Sequence, residues 1–241
     1  MIKNKTYQIF NMLILFSFIS IASYAAEDSI YDFEWMDQDK EIYVLQNRLY
    51  QKQSKFQFTL LGSKTMSDKF IDGYSGILKA AFYLNEDWGI ELLGGLGFGS
   101  ENPTAGMIRE QGTVPFYRKL ETFFGANIIW SPFYGKFNAF NQIYYLDWFI
   151  SAGLVSVSSS DNRKEFDTIP DRSKTTESSL GLDWSTGLLF YLSQSWMIRF
   201  EFQGLHFQGS RYGQASNGTG DYNKKQFFHF YAVSIGPALM F

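Results

Sequence analysis

The sequence predicts an all-β protein: an eight-stranded antiparallel up-and-down barrel that crosses a membrane with its strands. Three observations lead there. Eight segments alternate apolar and polar residues at period two, which is the period of a strand and not of a helix. The connections between them alternate short and long. Aromatic residues make up 19% of the chain and glycines number 21, yet mean hydropathy is only −0.17. Strands with one lipid face and one polar face average out in this way.

The first 25 residues are set apart. Lys3 and Lys5 precede the apolar run Met12 to Ile21, and Ser23-Tyr24-Ala25 supplies small residues at cleavage positions. This is the pattern of a secretory signal peptide (1–25). Its removal takes two of the 21 basic residues, leaving 19 against 24 acidic ones and a net charge of −5. A mildly acidic chain is a poor match for nucleic acid. With no cysteine, disulfides, thiol chemistry and a lipoprotein-type anchor are excluded. No later run reaches the ~18 apolar residues of a membrane helix.

Residues 26–54 read as a periplasmic N-terminal segment. AEDSIYDFEWMDQDK, Ala26 to Lys40, is acidic, aromatic and without period; it is a solvated tail, or a segment that binds a partner or the barrel mouth. In Glu41 to Gln53, Ile42, Val44 and Gln46 alternate like a strand, while Ile42, Leu45 and Leu49 fit a helical face. Both readings stand.

The barrel is expected over residues 55–241. Phe56, Phe58 and Leu60 open the first strand, with Gln57 and Thr59 on its other face. Tyr74, Leu78, Ala80 and Phe82 point outward in the second, with Ser75 and Lys79 inward. After Asn85-Glu86-Asp87 come Trp88, Ile90, Leu92, Leu96 and Phe98, with Glu91 inward. The fourth alternates Phe124, Ala126, Ile128 and Trp130 with Asn127. In the fifth, Tyr144, Leu146, Trp148, Ile150 and Leu154 alternate with Asp147 and Ser151. The sixth alternates Leu180, Leu182, Trp184, Leu188 and Phe190 with Asp183 and Ser185. The seventh alternates Trp196, Ile198, Phe200 and Phe202 with Arg199, Glu201 and Gln203. The eighth, FFHFYAVSIGPALMF, runs from Phe227 to Phe241.

Three connections are short: two turns of about three residues and the stretch Pro132 to Asn141. Ser100–Glu121, Ser158–Ser178 and Gly209–Gln226 are long and polar. Short turns on one side and long loops on the other are the habit of outer-membrane barrels, and place both termini in the periplasm. Pairing within a long loop would raise the strand number to ten.

Phe82-Tyr83-Leu84-x-x-x-Trp88-x-Ile90 recurs as Phe190-Tyr191-Leu192-x-x-x-Trp196-x-Ile198. Both copies bracket a short turn, so Trp88, Trp130, Trp196 and Phe241 are expected at one level, as an interfacial aromatic girdle. Inward parity places Lys79, Glu91, Asp147, Asp183, Arg199 and Glu201 in one lumen. Charges there need partners, so an ion-paired plug is expected, with a charge-lined channel as the alternative.

Ser234-x-Gly236-x-x-Leu239-x-Phe241 resembles the C-terminal signal by which the barrel-assembly machinery recognises its clients. Pro237 departs from a regular strand, since it donates no ladder hydrogen bond. From about Glu41 onward the chain resembles the outer-membrane β-barrel domain family of myxobacteria and predatory relatives, small barrels of the OmpA, OmpX or OmpW kind. Ile42-Tyr43-Val44-Leu45-Gln46-Asn47-Arg48-Leu49-Tyr50 and Trp130-Ser131-Pro132-Phe133-Tyr134-Gly135-Lys136-Phe137 carry the resemblance. It implies a barrel embedded in outer-membrane lipid, associated in some members with surface or gliding machinery, without established chemistry or cofactor.

Enzymatic chemistry finds little support. His206 and His229 are the two histidines, and parity puts both on the lipid face. Gly95-x-Gly97-x-Gly99 lacks the helix and acidic residue of a nucleotide fingerprint; such glycines suit a bending strand. No metal-ligand spacing occurs, and no cofactor is expected. The sequence therefore supports a non-enzymatic structural or interaction protein of the envelope, binding a partner through external loops or the periplasmic tail. The alternative is a narrow channel for small or apolar molecules.

Overall fold

A computed structural model describes residues 48–166, 173–210 and 225–241, together with the backbone of 213–214 and 220–221. The signal peptide and residues 26–47 lie outside the described residues, as does the segment 167–172 of one long loop. The described chain builds β1 (Phe56–Thr65), β2 (Ile71–Tyr83), β3 (Trp88–Glu101), a helix α1 (Pro103–Glu110), β4 (Arg118–Ala139) and β5 (Gln142–Asp161). A 3-10 turn at Arg163–Phe166 follows, then β6 (Thr175–Tyr191), β7 (Trp196–Ser210), β8 (Gly213–Gln214), β9 (Gly220–Asp221) and β10 (Lys225–Met240). Eight strands close a ring in the order β1-β10-β7-β6-β5-β4-β3-β2, every pair antiparallel. β8 and β9 pair only with each other, so the loop pairing that would have made ten strands stays outside the ring.

The side-chain alternation separates two surfaces. Phe58, Leu60, Leu78, Ile90, Leu92, Phe124, Leu154, Leu182, Phe200 and Ile235 are exposed on the outer wall. A continuous apolar exterior on a closed barrel is a lipid-facing surface. Among the described residues no helix is long and apolar enough to cross a membrane.

The two echoed turns share a physical cause. Asn85 Oδ1 accepts from the backbone N–H of Trp88 at 2.7 Å, and Ser193 Oγ accepts from that of Trp196 at 3.1 Å. In each, a polar residue three positions ahead of the tryptophan pins the turn. Trp88 stands opposite Trp130, the rings stacked at 5.6 Å, while Trp196 stands opposite Leu239 and Phe241 stacks on Phe58.

The expected connection Pro132–Asn141 is corrected. β4 runs on to Ala139 and turns at Phe140 and Asn141, both with positive φ, 51° and 64°. That is the backbone of a two-residue hairpin turn matched to strand twist. Pro132 is absorbed by a register shift between Trp130 and Phe133, where its missing N–H costs no ladder bond. The long loops are also shorter than read, because β3, β4, β5 and β6 extend into them and α1 occupies part of one. Asn102 caps α1 by accepting from Ala105 N at 3.0 Å, with Pro103 at the first turn, where its fixed φ suits a helix start.

The β1–β10 seam is interrupted. Thr59 pairs with Ala238 and Gly62 with Ile235, while the positions between, beside Gly236 and Pro237, are unpaired without loss of register. The Leu60 carbonyl lies against Gly236 where a Cβ would be, so glycine lets these backbones approach. At the very end, Phe56 and Phe241 exchange reciprocal N–H···O bonds of 2.9 and 3.0 Å.

Candidate functional site in the lumen and at the two mouths

At mid-height β2, β3 and β7 bring four predicted inward charges into a closed ring. Lys79 Nζ lies 3.2 Å from Glu91 Oε1 and 2.5 Å from Glu201 Oε1. Arg199 lies 2.6 Å from Glu91 Oε2 and 2.7 Å from Glu201 Oε2. Positive and negative alternate around the ring, and each carboxylate holds both cations. All four side chains are buried, and the Arg199 guanidinium also covers the Phe149 ring at 4.2 Å. Charges out of water are stable only with such saturated partners.

Asp183 and Asp147 do not join this ring, which corrects the expectation of one six-charge network. Asp183 is held by two neutral amides, Asn127 Nδ2 donating at 2.5 Å and Gln203 Nε2 at 2.7 Å, beside the Ser151–Ser185 hydroxyl pair. Asp147 lies nearer the turn end. There Lys52 Nζ approaches its Oδ2 to 2.5 Å and the Tyr191 hydroxyl donates to the same oxygen at 2.7 Å.

Two apolar layers flank the polar band. Towards the loop end Leu61, Ile77, Leu93, Phe123, Phe207 and Phe230 pack together. Gly95 leaves the space that the Phe123 ring fills. Towards the turn end Tyr83, Ile129, Phe149, Leu189, Tyr191 and Met197 pack together. The lumen is thus filled by side chains over its height, as expected for a barrel of eight strands.

The turn-end mouth is closed by the segment before β1. Tyr50 stacks on Tyr191 at 4.5 Å and meets Tyr145 edge-on at 5.3 Å. The Glu86 carboxylate accepts from the backbone N–H of Lys52 and Gln53 at 3.0 and 3.1 Å, and Arg48 pairs with Asp87 at 2.9 Å. Lys52 is consequently 1% exposed. Residues 48–54 are neither helix nor strand, so neither reading of that stretch applies to its described part. Its polar turn partners, not a period, hold it.

The loop-end mouth carries a second ionic cluster. Arg118 pairs with Asp161 at 2.6 Å and with Glu177 at 3.3 Å, and Arg163 bridges the same two carboxylates at 2.8 and 3.0 Å. Arg109 of α1 ties Glu101 to Glu165, both at 2.8 Å, and these hydrogen bonds raise its pKa. Burial first, then hydrogen bonding and proximity to Glu101, push the Tyr117 hydroxyl up to about 12. Beside them lies a cavity of about 640 Å³ lined by Glu101, Arg109, Tyr117, Glu165 and Lys174.

Of the residues read as an assembly signal, Ser234 is buried inward, Gly236 lies at the seam, and Leu239 and Phe241 face outward. His206 and His229 stand side by side on the outer wall. Among the described residues no cluster of three or more His, Cys, Asp or Glu is placed to hold a metal.

No protein-family description and no curated relative matches the chain. Solved structures similar to it include the N-terminal β-barrel domain of Pseudomonas aeruginosa OprF, at 13% identity over 78% of this chain and 98% of that one, TM-score 0.45. Neisserial surface protein A matches at 14% identity over 77% and 94%, TM-score 0.42. Ail, the attachment invasion locus protein of Yersinia pestis, matches at 13% over 78% and 99%, TM-score 0.39. Likenesses this distant carry no functional weight. The class rests on the chain's own geometry: a closed eight-stranded barrel with a lipid-facing wall and a filled lumen.

Proposed function

We propose that the chain is a non-enzymatic integral outer-membrane barrel, a structural or interaction component of the envelope, whose lumen is closed. The observation carrying this reading is the alternating ring of Lys79, Glu91, Arg199 and Glu201, sealed by an apolar layer on each side. An ion crossing it would have to break paired charges and displace packed rings, each costly in a low-dielectric interior. Both termini are periplasmic in this reading, and the long loops face outward, braced by Arg109, Arg118 and Arg163. Such a braced loop end offers a partner a preformed surface, and binding then orders less chain. The assembly machinery acts on β10, and outer-membrane lipid surrounds the wall. The resemblance to the myxobacterial domain family supports an envelope partner in a surface or motility assembly. Purified protein in planar bilayers is expected to show no steady conductance. Sustained conductance of the wild-type barrel would overturn the closed-lumen reading in favour of a narrow channel.

A further inference from the structure

Three polar side chains on the lipid-facing wall form a chain with a fixed direction. The Trp184 indole N–H of β6 donates to His206 Nε2 of β7 at 2.8 Å. His206 stands in register with His229 of β10, and their Nδ1 atoms are 2.7 Å apart. An indole is a donor only, so His206 Nε2 accepts and its single proton sits on Nδ1. That proton is donated to His229 Nδ1, which must then be the acceptor. The proton of His229 is left on Nε2.

The chain therefore ends in a free donor. His229 is exposed, and among the described residues no acceptor is placed at its Nε2. On a lipid-facing wall an unmet donor is costly unless the surroundings supply an oxygen. Beside the pair, a groove of about 250 Å³ is lined by Leu154, Leu180, Leu182, His206 and Phe227. Leu154, Leu180, Leu182 and Phe227 are exposed and continue the apolar exterior.

We propose that this wall is a binding site for one phospholipid: an acyl chain lies in the groove lined by Leu154, Leu180 and Leu182 and a phosphate oxygen accepts from His229 Nε2–H. A donor at one end of an apolar groove matches an amphiphile with an oxygen-rich head and a hydrocarbon chain. The inference rests on the exterior facing lipid, and the experiment separates the two. Refolded barrel in detergent, checked for heat-modifiable migration, is titrated with dipalmitoylphosphatidylglycerol and followed by native mass spectrometry. One lipid is expected to remain bound, with the His229 Nε2 proton shifting in NMR spectra. His229→Phe is expected to fold normally and bind about tenfold more weakly, the loss of one hydrogen bond to a charged acceptor. Leu180→Ser, which makes the exposed apolar lining of the groove polar, is expected to weaken binding as well; Leu182→Ser tests the same lining from the next outward position. Dipalmitoylglycerol, lacking phosphate, is expected to bind the wild type no better than the His229→Phe variant, and inorganic phosphate alone is expected not to bind. Equal retention by wild type and His229→Phe, or a dipalmitoylglycerol affinity equal to that of the phospholipid, would overturn the site. A barrel that fails to migrate as folded in detergent would instead overturn the membrane reading.

Discussion

Lys52 and Asp147 lie 95 residues apart in sequence and meet at 2.5 Å inside the turn-end mouth. The contact joins the irregular segment before β1 to the turn-end part of β5, so it fastens that segment into the barrel. Replacing Lys52 with Met leaves the Asp147 carboxylate buried without its cation, a loss of about 3–5 kcal/mol. The variant is expected to melt well below the wild type in detergent. The double variant Lys52→Met with Asp147→Leu should recover much of that loss, since neither charge is then stranded. An unchanged melting temperature in the single variant would show that the mouth contact carries no stability.

Arg199 is the only arginine in the mid-lumen ring and touches both of its carboxylates. Arg199→Ala leaves Glu91 and Glu201 sharing Lys79 alone and is expected to cost several kcal/mol. Steady conductance is not expected, because Phe123 and Phe207 on one side and Phe149 and Leu189 on the other still fill the lumen. Thermal unfolding and bilayer recording of the same preparation test both halves; persistent current would mean that the ring alone closed the barrel.

Phe241 closes the barrel's first and last strands through its two backbone bonds to Phe56, and it presents its ring outward. Its removal, or replacement with Asp, is expected to act on assembly more than on final stability. Cells should accumulate degraded or aggregated chain in place of heat-modifiable barrel. Normal amounts of folded protein in the membrane fraction would argue against an assembly role.

The loop between β1 and β2 holds half-buried Asp68, whose carboxyl is pushed up to about 7 by burial. Its folded pKa exceeds the unfolded value of 3.8, so the folded loop binds more protons between those values. Stability contributed here is present at low pH and falls as pH rises from about 4 to about 7. The hydrogen-exchange protection factor of this loop, its rate divided into the intrinsic base-catalysed rate at the same pH, is expected to be lower at pH 8 than at pH 5, and Asp68→Asn should flatten the difference. A variant that keeps the full pH dependence would assign it elsewhere.

Arg172 and Lys174 place trypsin sites in the loop between β5 and β6. In intact cells external trypsin is expected to cut there while the barrel remains folded. If an envelope partner binds this loop, the same treatment should release it. Protection in whole cells with cleavage only after lysis would reverse the proposed orientation.

The fold was legible because each strand divides water-averse from polar residues at period two, and the wall of a small barrel allows little else. Lys79, Glu91, Arg199 and Glu201 were legible by the same parity, since a charge facing lipid is costly. Phe123, Phe149 and Phe207 were not: where both faces of a strand are apolar, alternation carries no sign of which face is inside. Lys52 escaped because its segment has no period, and its site depends on Asp147 far away in the chain. Arg118 and Asp161 sat in stretches read as loops, being polar, although a polar inner face near a mouth looks the same. The start of α1 at Asn102-Pro103 was a readable local signal, overlooked among loop residues.

The interrupted seam beside Pro237 gives the ring an order of making and breaking. β2 with β3, β4 with β5 and β6 with β7 are joined by tight turns and can zip locally. β1 and β10 belong to opposite ends of the barrel sequence, so their closure waits for the whole chain and carries the largest loop entropy. That closure has the fewest paired positions of any neighbouring strands in the barrel. Under sideways tension, the joint made last is the joint that parts first.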